Sequence, residues 1–197
     1  SNLDNPRYLF VEHQFDDAKN SDFRKNSVDH RSFVVINGKI DIECLLGNGE
    51  LISHSFTNLE GWHALPGSIF RIKNNSGNSA VLIEGGSIIG EDQNSSDYGL
   101  LKTEKSAAPC INISQYNVKK PWGEEVWFTQ NISDNLPFAL KKIQMNSGNQ
   151  SSLQSHEVKM ETNYVIEGEA TVLSGIIAPE DLNAVIELET LKSKKYQ

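Results

Sequence analysis

The chain has 197 residues and a formal net charge of −8, which disfavours general attraction to nucleic acid or to an anionic membrane surface. Hydrophobic residues make up 38% of the chain and charged residues 22%, a balance that permits a packed core and argues against disorder. No apolar run approaches the ~18 residues of a membrane span, and the N-terminus lacks a signal-peptide core. We therefore expect no nucleic-acid partner, no membrane partner and a cytoplasmic location.

Short apolar runs, many of them β-branched, recur along the chain and end in Gly, Asn or Asp. This punctuation predicts strands and turns, not helices. The runs cover residues 8–13, 32–38, 40–49, 68–74, 80–86, 124–130, 138–145, 162–175 and 184–191. Asn37-Gly38 between two apolar runs predicts a β-hairpin, and Gly47-Asn48-Gly49 predicts a second turn. The fold class that follows is all-β.

The organisation of the chain is that of two similar halves. A polar stretch at residues 88–108 has few periodic apolar positions and predicts a surface connection. On either side of it, residues 33–39 align with residues 164–170 as an apolar strand, a turn glycine and a following strand. We therefore predict a first domain at residues 1–104 and a second at residues 105–197. The two cysteines, Cys44 and Cys110, are interpreted as unrelated small buried side chains.

Three candidate metal ligands lie at fixed spacing in the second half. Gln154 and His156 are two residues apart and on a strand would face the same side, and Glu161 follows five residues later. Imidazole and carboxylate groups suit zinc, iron, manganese or nickel, whereas an amide oxygen is a weaker ligand. Three protein ligands with open positions favour a catalytic site over a closed structural one.

The segment around these residues resembles the first motif of the cupin superfamily, G-x5-H-x-H-x4-E-x6-G, with Gln154 in place of the first His. It is most similar to the cupin domain of type II phosphomannose isomerases, whose SLQ-x-H segment and upstream (K/R)PWG signature also have counterparts here. The residues that carry the resemblance are Gly148, Ser152, Leu153, Gln154, His156, Lys159, Glu161, Gly168 and the run Lys120-Pro121-Trp122-Gly123-Glu124-Glu125.

The second half departs from this family pattern at several positions. Thr162-Asn163 stand where the family has His-Trp, and Lys159 replaces an Arg. The fourth cupin ligand is a His in a second motif further downstream, but no His follows His156 in this sequence. We therefore expect the sequence to stop before the second motif, so that the second barrel is incomplete at its C-terminus. The alternative is a barrel that never completes a metal site.

The first half resembles a cupin barrel that lacks metal ligands. Residues 66–74 resemble the second cupin motif, with Phe70 where the His stands. The first-motif metal positions fall on Arg24, Asn26 and Arg31, none of which is a good ligand. His30, His54 and His63 do not fall on ligand positions, and we expect them at the surface or in hydrogen bonds.

The resemblance implies two cupin (jelly-roll) β-barrels in tandem and metal-assisted aldose–ketose isomerisation of a hexose phosphate such as mannose 6-phosphate. Gln154, His156 and Glu161 would hold a divalent metal, zinc before manganese, iron or nickel, and Lys159 would serve the phosphate or a proton transfer. One alternative is a non-catalytic carbohydrate-binding or regulatory bicupin, and another is a cupin dioxygenase with iron. Because an incomplete barrel exposes strand edges that need cover, we also expect a homodimer.

Overall fold

A computed structural model describes residues 8–26, 29–87, 93–95, 109–133, 136–152, 154, 161–176 and 185–192. The described residues form fifteen β-strands and no helix, which confirms the all-β prediction for this part of the chain. The strands are β1 (Tyr8–Phe15), β2 (Phe23–Lys25), β3 (Arg31–Asn37), β4 (Ile40–Leu45), β5 (Leu51–Phe56), β6 (Gly61–Ala64), β7 (Ile69–Lys73), β8 (Ala80–Ser87), β9 (Gln93–Ser95), β10 (Cys110–Asn112), β11 (Tyr116–Lys120), β12 (Gly123–Trp127), β13 (Lys141–Met145), β14 (Glu169–Ile176) and β15 (Val185–Lys192). Over the same residues, no helix is long and apolar enough to cross a membrane.

The chain divides into two compact units, Ser1–Ser155 and His156–Gln197. The first unit contains two five-stranded antiparallel sheets, with strand orders β1-β8-β3-β6-β10 and β5-β4-β7-β2-β9. Strands β1 to β4 alternate between the sheets, and so do β5 to β8, which is the connectivity of a double-sheet jelly roll. The first unit also contains the three-stranded sheet β11-β12-β13, and the second unit contains the hairpin β14-β15.

The inner faces of the two large sheets form the main hydrophobic core. Phe33 and Trp62 stack with ring centroids 4.6 Å apart, and Phe70 from the opposite sheet meets Phe33 edge-on at 5.4 Å. Such large aromatic side chains supply much of the apolar area that stabilises a sheet-on-sheet packing. The other buried members of this core are Phe15, Val35, Ile40, Ile42, Cys44, Phe56, Ala64, Ile72, Ala80, Leu82 and Cys110.

The central strands of the first sheet are buried on both faces. Residues 33–36 on β3 and residues 80–83 on β8 are all buried, so their apolar runs are continuous and not alternating. Part of the cover on the outer face comes from the segment before β13. There, Phe138 stacks on His63 with centroids 6.4 Å apart, and the Leu140 side chain lies against Gly85.

The predicted hairpin at Asn37-Gly38 is wrong, although the turn exists. Gly38 has a φ of +82°, which favours glycine. However, the strands before and after it, β3 and β4, lie in opposite sheets and do not pair. The turn therefore carries the chain from one sheet to the other, a choice set by long-range packing and not by the turn residues. The second predicted turn is confirmed, because Gly47-Asn48-Gly49 joins the paired strands β4 and β5.

Two short strands connect the predicted linker region to the jelly roll. Strand β9 lies inside residues 88–108 and pairs with β2, so this stretch is not only a surface connection. Strand β10 pairs with β6 at the edge of the first sheet. The predicted boundary between residues 104 and 105 lies outside the described residues and stays a prediction.

Candidate functional site

Two of the three predicted metal ligands lie among the described residues. Gln154 and Glu161 are exposed, and neither lies in a strand. His156 and the predicted catalytic Lys159 lie outside the described residues. In the part of the chain that the structure describes, no cluster of three or more His, Cys, Asp or Glu side chains could hold a metal ion. The ligand set therefore stays a prediction.

The two motif glycines adopt the conformation that a turn requires. Gly148 has a φ of +75° and Gly168 a φ of +85°, both in the left-handed region. Gly168 directly precedes strand β14. The predicted strand over 162–175 is wrong in its first part, because residues 162–168 are not in a strand. A strand needs a neighbour for its backbone hydrogen bonds, and no described strand pairs with these residues, so the alignment with residues 33–39 fails there.

The KPWGEE run forms a tight hairpin between β11 and β12. Lys120 pairs with Gly123, and Pro121-Trp122 form the two-residue loop between them. Trp122 is half-buried, and its carbonyl oxygen accepts a hydrogen bond from the Asn146 backbone N–H at 2.9 Å. A Cβ atom built on Gly123 would collide with the Gln144 carbonyl oxygen on β13. The glycine of this signature is therefore needed for the close approach of β12 and β13.

A buried carboxylate lies at the centre of the β11-β12-β13 sheet. Glu125 accepts hydrogen bonds from the Lys141 ammonium and the Trp127 indole N–H, each at 3.0 Å, and lies 3.7 Å from the Lys120 ammonium. Lys141 also lies 4.8 Å from the centroid of the Trp127 ring. Burial opposes ionisation of Glu125, but the hydrogen bonds from Lys141 and Trp127 outweigh it and hold the pKa of Glu125 below its ordinary value.

Inside the jelly roll, Arg24, one of the residues aligned with the first motif, forms a buried ion pair with Glu84. Glu84 lies opposite Phe33 in the sheet register and is 1% exposed. Arg24 reaches it from the facing sheet with two hydrogen bonds, at 2.5 and 3.0 Å. The Arg24 guanidinium also lies 5.7 Å from the Phe33 ring centroid and 6.0 Å from that of Phe70. One bidentate arginine–carboxylate pair thus bridges the two sheets.

Further polar groups surround this ion pair. His13 Nε2 lies 2.7 Å from a Glu84 oxygen, and Arg31 Nε lies 3.7 Å from the other oxygen. Arg31 also donates a hydrogen bond to Asp29 at 3.3 Å. The buried Asn26 donates from its side-chain amide to the backbone carbonyls of nearby loops, including that of Asp29 at 2.5 Å. Arg24, Asn26 and Arg31 therefore all act as structural donors, as their poor ligand chemistry predicts.

The charge state of Glu84 follows from these contacts. Burial opposes ionisation, but the hydrogen bonds from His13 and Arg24 outweigh it and lower the pKa of Glu84 to about 2. The carboxylate is therefore charged at any physiological pH and stabilises both arginines. Sequence reasoning missed Glu84 and His13 as members of this site. The available signal was a single acidic residue inside the apolar run at residues 80–86.

A second polar cluster lies on the outer face of the same sheet. Ser32 and His63 pair in the register of β3 and β6, and their side chains hydrogen-bond at 2.7 Å. His63 also lies 3.0 Å from His30. Burial and the neighbouring His30 lower the pKa of His63 to about 3, so it is neutral in the folded protein. His30 and His63 are thus hydrogen-bonded, as predicted.

The strand order and sheet pairing define a double-sheet jelly-roll domain in the first half of the chain. No family model matches the sequence, and no curated protein matches it. Several solved structures are similar in part. Peruvianin-I, a cysteine peptidase from Thevetia peruviana latex, is 14% identical with a TM-score of 0.41; the match covers 45% of this chain and 55% of that one.

The names of two other similar structures mention a fold. An uncharacterized Klebsiella pneumoniae protein with a double-stranded beta-helix domain is 13% identical with a TM-score of 0.40, over 47% of this chain and 77% of that chain. The Drosophila melanogaster CENP-C cupin domain is 15% identical with a TM-score of 0.38, over 44% of this chain and 68% of that chain. At these scores the likenesses carry no argument about family or activity.

Proposed function

We propose that this protein is a metal-dependent, sugar-phosphate isomerase-like member of the cupin superfamily. Its reaction would be the aldose–ketose isomerisation of a hexose phosphate such as mannose 6-phosphate. The observation that supports this best is the order of parts along the chain. A domain with jelly-roll connectivity comes first, and it is followed by the PWG hairpin and by a ligand motif whose two glycines both have positive φ.

The donor set of the motif fits a divalent cation. Gln154 offers an amide oxygen, His156 an imidazole nitrogen and Glu161 a carboxylate oxygen, and zinc, manganese, iron and nickel all accept such ligands. A metal bound there would polarise the carbonyl and hydroxyl oxygens of an aldose or ketose. Lys159 would bind the substrate phosphate as a cationic partner or carry a proton between adjacent carbons.

The interior of the jelly roll supports the proposal that the two halves of the chain have different roles. Arg24 and Glu84 occupy the interior with a charge-balanced pair, and Phe70 is fully buried beside them. Among the described residues this arrangement offers no set of metal ligands, and the guanidinium groups would repel a cation. In this proposal the first domain supplies a rigid scaffold, and the chemistry lies in the second half.

The same interior gives weight to a second candidate, a non-catalytic carbohydrate-binding or regulatory bicupin. If one barrel has exchanged its ligands for an ion pair, the other can serve recognition alone. The two candidates differ in one property, because only the isomerase interconverts two sugar phosphates.

The deciding experiment is an isomerase assay with mannose 6-phosphate and fructose 6-phosphate, on protein supplied in turn with zinc, manganese, iron and nickel. We expect interconversion that His156→Ala abolishes. His54→Ala is the matched control, because His54 is a half-buried histidine of the first domain, and it should keep full activity. Metal binding without any interconversion would reject the isomerase and favour the binding protein.

A further inference from the structure

The only two cysteines of the chain lie in one core cluster, although no local pattern in the sequence connects them. Cys44 is 1% exposed and Cys110 is 9% exposed, and both are free thiols in the same hydrophobic core. Cys44 belongs to β4 in one sheet, and Cys110 belongs to β10 at the edge of the other. The interpretation as two unrelated side chains is therefore incomplete.

The strand register explains why the two thiols face each other. Cys110 lies opposite Ala64 on β6, and Ala64 is a fully buried member of the inner face. Residues directly opposite in an antiparallel pair point to the same face, so Cys110 also points inward. Cys44 shares the inward face of β4 with Ile40 and Ile42. The two thiols therefore approach from opposite sheets across the core.

The resting state keeps the Cys110 thiol protonated. A hydrogen bond with the Cys44 thiol, together with burial, raises the pKa of the Cys110 thiol well above its ordinary value. A protonated thiol is a poor nucleophile, so the closed fold slows the reaction of the pair with oxidants. Access comes through β10, which has three residues and pairs only with β6 among the described strands. Short edge strands are the elements that open locally at the lowest free-energy cost.

We propose that Cys44 and Cys110 form an intramolecular disulfide when the protein meets a peroxide, and that this bond fixes β10 to the facing sheet. Cys110, on the edge strand, reacts first, and Cys44, on a central strand, resolves the product. The bond would tie the chain that leads into the second half to the core of the first. It would do so independently of any catalytic activity.

The chemistry balances with hydrogen peroxide as the oxidant. The Cys110 thiolate attacks one peroxide oxygen, the O–O bond breaks, and Cys110 becomes a sulfenic acid while one water leaves. The Cys44 thiolate then attacks the Cys110 sulfur, the S–S bond forms, and the S–O bond breaks to release a second water. Two thiols lose two electrons and two protons in total, and the peroxide is reduced to two waters.

The first test uses the reduced full chain, hydrogen peroxide and intact-protein mass spectrometry. We expect both thiols to disappear together, the monomer to lose the mass of two hydrogens, and dithiothreitol to restore it. The rate should rise with pH from about pH 7 and level off above about pH 9, because the thiolate is the nucleophile and an exposed thiol has a pKa near 8.5. The oxidised chain should unfold roughly 5–15 °C higher than the reduced chain, because the bond closes a long loop.

The second test assigns the order of reaction with single variants. In Cys44→Ala we expect Cys110 to accumulate a sulfenic acid that dimedone traps, and in Cys110→Ala we expect Cys44 to stay reduced over the same period. Thermal unfolding of both variants confirms that they are folded. Wild-type thiols that persist, disulfide-linked dimers, or a sulfinic acid on Cys110 without an S–S bond would overturn the proposal. Faster reaction of Cys44 than of Cys110 would overturn the order.

Discussion

The two halves of the chain differ at the positions where the cupin motif places a metal. The first half has Arg24, Asn26 and Arg31, and the structure uses all three as hydrogen-bond donors to carboxylates or backbone carbonyls. The second half has Gln154, His156 and Glu161, which offer lone pairs instead. The three residues of the first half donate hydrogen bonds, whereas the three of the second half carry atoms that can accept hydrogen bonds or bind a cation.

The comparison shows how the first half satisfies the charges buried in its interior. Polar groups buried without partners are costly. In the first jelly roll, Arg24 supplies the positive charge from within the chain, and Glu84 balances it. This ion pair joins the two sheets of the first half across the core.

The largest expected effect comes from removing the central carboxylate of the first half. Glu84→Gln removes the buried negative charge that accepts two hydrogen bonds from Arg24 and lies 3.7 Å from Arg31, which should lower the free energy of unfolding by about 3–5 kcal/mol. Urea titration measures it. The control is Glu50→Gln, at an exposed turn position, which should change stability by less than about 0.5 kcal/mol. Equal stability of the two variants would show that the ion pair does not stabilise the interior.

The next effect concerns the PWG hairpin that begins the second half. Gly123→Ala forces a Cβ atom against the backbone of β13, and we expect a loss of about 3 kcal/mol because backbone atoms cannot move aside easily. Gly77→Ala is the matched control, because Gly77 also has a positive φ, of +80°, but has no atom within 4 Å of the added Cβ. If both variants lose the same stability, the backbone strain of a positive φ accounts for the loss. The close approach of β12 to β13 would then contribute nothing.

An acid titration separates the outer cluster from the inner ion pair. The folded pKa of His63 is about 3, whereas an unfolded histidine titrates near 6.5. The unfolded chain therefore binds the proton first, and stability falls as pH drops below about 6.5. The loss from His63 alone should be about 2 kcal/mol between pH 7 and 5.

The inner ion pair titrates in a more acidic range. The pKa of Glu84 is about 2 in the folded protein, against an ordinary glutamate value near 4.5. Glu84 therefore lowers the stability of the fold only as the pH falls below about 4.5. Urea midpoints at several pH values measure both effects. The His63→Gln variant should flatten the upper range, and His54→Gln should not. A His63→Gln profile as steep as that of the wild type would contradict this assignment.

The smallest effect is expected at the β11-β12-β13 sheet. Glu125→Gln removes the charge that pairs with Lys141 but keeps a hydrogen-bond acceptor for Trp127, so we expect a loss of about 1 kcal/mol. The difference from wild type should shrink in 1 M salt, because the partner side chains Lys120 and Lys141 are partly exposed. A loss of stability as large as that of Glu84→Gln would mean that the ion pairs of Glu125 and Glu84 contribute equally to the stability of the fold.

Local signals in the sequence were sufficient for most strands. The apolar runs at residues 32–38, 40–49 and 80–86 correspond to β3, β4 and β8, because each combines β-branched residues with a turn signal at its end. The sheet partner of each strand was not predictable in the same way. The turn at Asn37-Gly38 is compatible with a hairpin or with a crossing between sheets, and only the packing of the whole core decides between them.

The site shows the same limit. The hydrogen-bond donor character of Arg24 and Arg31 was evident from residue type. Their common partner, Glu84, comes from a distant strand, and no local pattern pairs it with Arg24. The approach of Cys44 to Cys110 was hidden for the same reason, because it depends on which strand forms the sheet edge.

The most direct measurement is the metal content of the purified protein by mass spectrometry, for the wild type, His156→Ala and His54→Ala. We expect one bound divalent metal per wild-type chain, none in His156→Ala, and an unchanged content in His54→Ala. Metal that persists in His156→Ala, or a wild-type chain that binds none when metals are supplied, would contradict the assignment of the metal site to the second half.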